Sequence, residues 1–349
     1  MIWYCDMITS DIKRRRYIQT VATGIAGVTV GTAGCVGDSG DTDSDEYPDG
    51  DQSIEVIVPF GEGGGTDTYA RQIFGAVDDL IDNPIEVRNV PGAATLRGAS
   101  EGFFSDPDGY TITAFNPPST PISAMIEEPP FELQEFEGIM SHSRGAFALI
   151  ANPEHEFQNV QDVIDRFDDG EFELMGGQSP GGITHVQAFL ARQEWGIEWD
   201  RYVGYAGAAP IAEALAADEI PIAITSETGT VGPIEEGTVD LVAMLPSDGG
   251  VVFEDAPSAV DEGFEEMDFV SQFNRCFWFP PDTPQDAIDT MRGLLEEAVM
   301  SDQIQEWSED TGNHIWFRDS EYANQVMEDA FEQIPSAVDL EELRQAAEE

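Results

Sequence analysis

Two stretches of the 349-residue chain gather the residue types that hold a small ligand without a cofactor. The first, Gly61-Glu62-Gly63-Gly64-Gly65-Thr66-Asp67, follows the β-branched run Ser53–Pro59. The second, Gly176-Gly177-Gln178-Ser179-Pro180-Gly181-Gly182-Ile183-Thr184, opens an apolar segment of helical spacing that bears His185 and Phe189. Glycine lets backbone approach a ligand closely, and the helix that follows offers free N–H groups and a positive dipole end. Two such turns facing each other make a cradle for a carboxylate. Taken singly, each is also what a tight strand-to-helix connection looks like.

Other chemistries fit less well. The first turn lacks Gly-x-Gly-x-x-Gly spacing, and with Lys13 the only lysine there is no Gly-Lys-Ser/Thr phosphate loop. Gly177-Gln178-Ser179-Pro180-Gly181 does fit Gly-x-Ser-x-Gly, with aspartates following and His314 downstream, so an exported serine hydrolase using Ser179 is the enzyme alternative. Its oxyanion hole would need the N–H of the residue after the serine, and Pro180 has none. His142, His155, His185 and His314 neither pair at helical spacing nor cluster with Cys276, and no EF-hand loop is present, so no metal and no cofactor are expected.

The elements that must position these turns alternate. Strands are expected at Ser53–Pro59, Ile85–Asn89, Thr111–Phe115, Phe147–Ala151, Phe172–Met175, Ile220–Thr225, Val239–Leu245 and Phe277–Phe279. Helices are expected from Thr66 to Ile81, and at Val160–Phe167, Thr184–Trp195, Pro210–Ala217, Thr283–Ser308 and Ser320–Glu332. Such alternation gives an α/β fold with largely parallel sheets. Strands that end at prolines suggest hinges at Ile150–Pro153 and Trp278–Pro281.

Composition sets the surroundings. With 69 acidic against 15 basic residues the net charge is −54, which repels phosphate backbones and excludes nucleic acid as a partner. Self-repulsion on that scale is tolerable where salt shortens the Debye length, so the chain reads as salt-adapted, of halophilic, haloarchaeal type. Arg14-Arg15-Arg16-Tyr17-Ile18 and the weakly apolar stretch behind it resemble a twin-arginine export signal over residues 1–34. Thr32-Ala33-Gly34-Cys35 resembles a lipidation site at Cys35, and residues 35–52 form an acidic linker suited to a tether. Cys276 is then left without an intramolecular disulfide partner.

An ordered set of motifs resembles the substrate-binding receptors of tripartite tricarboxylate transporters, the Bug receptor family. It comprises Ile57-Val58-Pro59-Phe60 with Gly63–Asp67, Asn89-Val90-Pro91-Gly92-Ala93, Asp106-Pro107-Asp108-Gly109-Tyr110-Thr111, Gly181-Gly182-Ile183-Thr184-His185, Gly204-Tyr205-Ala206-Gly207-Ala208 and Glu236-Gly237. The resemblance implies a two-lobed, periplasmic-binding-protein-like (flytrap) fold, each lobe a mostly parallel sheet flanked by helices. Lobe 1 would span 53–152 and 274–349, and lobe 2 would span 153–273. It implies a receptor, not an enzyme, that takes a di- or tricarboxylate or related organic acid between its lobes. Gly64, Gly65, Thr66 and Asp67 would lie on one side of the ligand. Ser179, Gly181, Gly182, Thr184 and His185 would lie on the other, with Asp67 also readable as a helix cap and His185 as a brace for its loop. Tyr205, Thr225 and Ser226 fall at further site positions, but Ala206 replaces the usual lysine, Thr225-Ser226 an Asp-Asn pair, and Val90 follows Asn89 without the usual arginine. Loss of an acid at 225 would suit a second anionic group, with Ser226 and Thr228 as donors. The implied partners are two membrane transporter subunits, or a sensor kinase if the receptor serves signalling. The protein would act as a monomer, lipid-anchored at the extracellular face of the cell membrane.

Overall fold

Strand β1 (Ile54–Val58) buries its β-branched Ile54, Val56, Ile57 and Val58 and leaves only Glu55 half-exposed, as a strand covered on both faces does. The computed structural model to which it belongs describes residues 47–348 apart from positions 51 and 248. The expected export signal, Cys35 and the linker as far as residue 46 lie outside the described residues. Tyr47, assigned to the linker by its acidic neighbours, packs on the fold instead. Its hydroxyl donates to the Gly109 carbonyl at 2.7 Å and its ring meets Tyr110 edge-on, the centroids 5.3 Å apart.

The chain continues through α1 (Gly65–Asp78), β2 (Ile85–Asn89), α2 (Leu96–Phe103), β3 (Thr111–Phe115) and α3 (Ser119–Glu127). Strand β4 (Glu137–Ala151) follows, then α4 (Val160–Asp168), β5 (Leu174–Gln178), α5 (Ile183–Leu190) and β6 (Arg201–Tyr205). After α6 (Ala208–Ala216) come β7 (Ile222–Ser226), α7 (Val231–Glu235), β8 (Asp240–Met244) and β9 (Gln272–Phe279). Four helices close the chain: α8 (Gln285–Val299), α9 (Asp302–Thr311), α10 (Ser320–Ala337) and α11 (Leu340–Glu348).

The nine strands form one sheet in the order β2-β1-β3-β9-β4-β7-β5-β6, with β8 also on β4. On one side β2, β1 and β3 are parallel, and on the other β7, β5 and β6 are parallel, as the alternation requires. Between them β4 runs antiparallel to β9, β7 and β8. Over Glu137–Ala146 it pairs with β9, and over Phe147–Ala151 with β7. β4 therefore passes from one half of the sheet to the other at Ala146–Phe147. Ile150 and Ala151 are locked to β7 and β8, while Trp278 is locked to β3 and β4.

Each half has its own core. Ile54, Val56, Phe74, Phe277 and Met291 pack α1 and α8 onto the first half, with Phe74 and Phe277 edge-on at 5.0 Å. In the second, Val186, Phe189 and Trp199 join Ile222 and Ile224, and Ala330, Ile334 and Leu343 of the C-terminal helices belong to the same cluster. Each fully buried Val, Leu, Ile, Phe or Met among them contributes about 1.5–3 kcal/mol. No helix among the described residues is long and apolar enough to cross a membrane.

Candidate functional site

The two glycine-rich turns share one design. Each follows the end of a parallel strand, β1 or β5, and each needs a positive φ two residues before its helix: Gly63 at 75° and Gly181 at 74°. A side chain at either would be strained. The next glycine closes the turn, Gly64 N–H donating to the Gly61 carbonyl at 3.3 Å and Gly182 N–H to the Ser179 carbonyl at 3.0 Å. A side chain four residues on then accepts the positive-φ glycine's N–H. Asp67 Oδ2 takes Gly63 N–H at 2.8 Å, and His185 Nδ1 takes Gly181 N–H at 3.0 Å. Both helices consequently begin with Gly-Thr or Ile-Thr, whose first-turn N–H groups have no intrahelical acceptor.

The braces differ in charge. Burial raises the pKa of Asp67, but the Gly63 N–H, Arg71 and Asn89 outweigh it and hold the carboxyl below its ordinary range. Arg71 Nε and Asn89 Nδ2 both donate to its Oδ1, each at 2.9 Å. His185 is buried against Tyr202, ring centroids 4.2 Å apart, and desolvation, aided by Arg192, lowers its pKa to about 4. It is a neutral imidazole that spends Nδ1 as acceptor. Thr66 and Thr184 are buried beside them. Thr66 Oγ1 accepts from Asn116 Nδ2 at 2.8 Å, and Thr184 Oγ1 accepts from Gln178 N–H at 2.8 Å and meets the Tyr202 hydroxyl at 2.9 Å.

Other expected site residues divide. Thr225 and Ser226 end β7 next to the second turn, and Gln178 Nε2 donates to Thr225 Oγ1 at 3.5 Å. Ser179, Gly64 and Gly65 are exposed, so the turns face solvent at their tips. Tyr205 ends β6 opposite Gln178, beside the second turn, and is half-buried with its ring against the neighbouring core. Among the described residues no hydrogen bond links Ser179 Oγ to a histidine. No group of three or more His, Cys, Asp or Glu gathers there for a metal ion.

The sequence reading missed the floor of the site. Arg275 of β9 lies under the first turn, where a Cβ at Gly65 would stand 2.8 Å from its Nη2. Glu227, wholly buried after β7, accepts from the N–H groups of Ala146, Val251 and Val252 at 2.9–3.0 Å. Its carboxylate acts electrostatically on Arg275, which ties the end of β7 to the first turn. An arginine inside the apolar run Phe273–Phe279 was the available signal.

Solved structures share this architecture. The periplasmic binding protein BugD superposes with a TM-score of 0.69 at 19% identity, over 84% of this chain and 97% of that one. MatC of Rhodopseudomonas palustris with bound malate gives 0.67 at 18%, over 85% and 99%. The R. palustris protein Rpa4515 with adipate gives 0.71 at 18%, over 87% and 99%. The fold is thus that of the two-lobed periplasmic binding proteins.

Residues 69–340 match the family described as the tripartite tricarboxylate transporter family receptor, and the chain belongs to that family. A UPF0065 protein of Bordetella pertussis (strain Tohama I) is 25% identical over 275 residues, 78% of this chain and 84% of its own. Protein BugT of the same bacterium is 24% identical over 286 residues, 81% and 85%. These relatives are bacterial.

Proposed function

We propose that this receptor captures a small di- or tricarboxylate, or a related organic acid, between its two turns and delivers it to two membrane transporter subunits. The observation that carries the reading is the pair of like-built turns, each with unspent N–H groups at a helix start. Malate and adipate in the related structures support the ligand class. Gly64, Gly65 and Thr66 would hold one end, and Gly181, Gly182, Thr225 and Ser226 the other. Asp67, Thr184 and His185 would keep the turns in shape. In this reading the lobes meet at Ala146–Phe147, where β4 passes from β9 to β7, and they close by twisting there. The twin-arginine signal, the lipid on Cys35 and the salt adaptation complete it as an exported, tethered, monomeric protein. Hydrolysis at Ser179 is disfavoured by Pro180 and by the commitment of His185 Nδ1 to Gly181.

Thermal shift of the purified protein in multimolar salt, against mono-, di- and tricarboxylates and amino acids, tests this. Stabilisation by one acid, recovered intact and reduced by Gly182→Leu, is the expected result. A cleaved product would favour the hydrolase, and flat curves would remove the ligand class.

A further inference from the structure

Arg275 is buried, and among the described residues no counter-ion touches it. Its guanidinium is sandwiched between the rings of Tyr69 and Phe273, 4.8 and 4.7 Å from their centroids. Nη1 donates to Ser143 Oγ at 3.2 Å, the group's one hydrogen bond among the described residues. Nε is buried with no partner, although guanidinium carries five N–H donors. Arginine does not escape such burial by losing its proton, so the charge remains.

Glu227 does not discharge it. Its oxygens are held by the N–H groups of Ala146, Val251 and Val252. No ion pair joins it to Arg275 among the described residues. Two opposite charges are buried near each other and kept apart, which is costly unless something else completes one of them. The place of Arg275 says which. It presses against Gly65, whose missing side chain is what lets the guanidinium come up against the turn. Behind the second turn, among the described residues, no buried cation lies against the glycines: Thr184, Tyr202 and neutral His185 are its backing, with half-buried Arg192 beyond them over Trp199.

We propose that Arg275 is the specificity-determining residue of the cleft, and that it pairs with a carboxylate of the ligand seated on the first turn. This rests on the carboxylate-receptor reading above and makes it directional. The anionic end of the ligand lies on the Gly63–Thr66 side, and the Ser179–Thr184 side holds a group by neutral donors. Charge, more than shape, then separates ligands from analogues, because a neutral amide leaves the guanidinium unpaired.

The test titrates malate and adipate, and the diamide of adipate, into wild type, Arg275→Met and Arg275→Lys in multimolar salt, with melting of the unliganded proteins alongside. The expected results are a loss of about a hundredfold in acid affinity for Met and about tenfold for Lys, which keeps the charge but not the fork. Unliganded Arg275→Met should melt level with wild type or about 2–4 °C higher, since it removes a buried, unpaired ion. The preference of wild type for adipate over its diamide should vanish in Arg275→Met. Equal acid binding by wild type and Arg275→Met would overturn the assignment to Arg275 and leave the receptor reading standing. So would a fall in the melting point of both variants, which would make the arginine structural. Failure of wild type to bind either acid would remove the receptor reading and this inference together.

Discussion

His185 titrates against the fold. Unfolded, its imidazole has the ordinary value of 6.5; folded, desolvation holds it at about 4. Below pH 6.5 the unfolded chain therefore binds a proton that the folded one refuses. The associated stability is whole above 6.5 and is lost as pH falls toward 4. His142, also buried and held well below 6.5, adds with the same sign. Urea melts of wild type and His185→Gln should show the variant losing about 2 kcal/mol less between pH 7 and pH 5; equal losses would mean that His185 is not buried neutral. A second residue-scale feature precedes α2. Ala93, Ala94 and Thr95 all have positive φ, at 47°, 48° and 82°. Ala94 is exposed, so Ala94→Gly relieves its strain without deleting a packed side chain. It should raise stability by about 0.5–1 kcal/mol in a denaturant melt. None of this was legible in Pro91-Gly92-Ala93-Ala94-Thr95, where only Gly92 signals an unusual backbone.

At the scale of elements, the second turn hangs from Thr184. Its hydroxyl accepts the Gln178 N–H and pairs with Tyr202, whose own hydroxyl donates to the Gln178 carbonyl at 2.7 Å. Thr184→Val keeps the shape and strands a buried donor. It should cost about 1–3 kcal/mol in melts and weaken acid binding, whereas Thr184→Ser should restore both. The turn itself was readable from its glycines, and β2 and β3 were readable residue for residue. Strand β4 was not. Only its end, Phe147–Ala151, was expected; the first part, with Gly138, Ser141, His142, Ser143, Arg144 and Gly145, carries no strand pattern, yet Ser141, His142 and Ser143 are wholly buried in the middle of the sheet. The first part of β9 was missed in the same way behind Gln272, Asn274 and Arg275, although its end, Phe277–Phe279, was expected. Tertiary burial overrode local propensity along these two strands, so the buried support of the first turn was the part that periodicity could not find.

For the molecule as a whole, arginines among the described residues reach few of the acids. Arg88 spans Glu55 and Glu101, Arg166 meets Glu171, and Arg344 meets Glu128, while most of the described carboxylates have no such partner on a chain of −54. Thermal stability should therefore climb with KCl up to about 1 M, where the Debye length is near 3 Å, and sucrose should not substitute for it. A flat response to KCl would show that the acids do not repel one another enough to matter. The overall architecture was legible because strand and helix patterns alternate so regularly along the chain. What the alternation could not reveal is that β4 belongs to both halves. Any break within Glu137–Ala151 strips the pairing partner from β9 on one side or from β7 and β8 on the other, and bare edges of that kind invite aggregation. Ligand preference cannot then be transplanted between relatives one half at a time. A working chimaera must inherit this strand and both of its neighbourhoods as a single part.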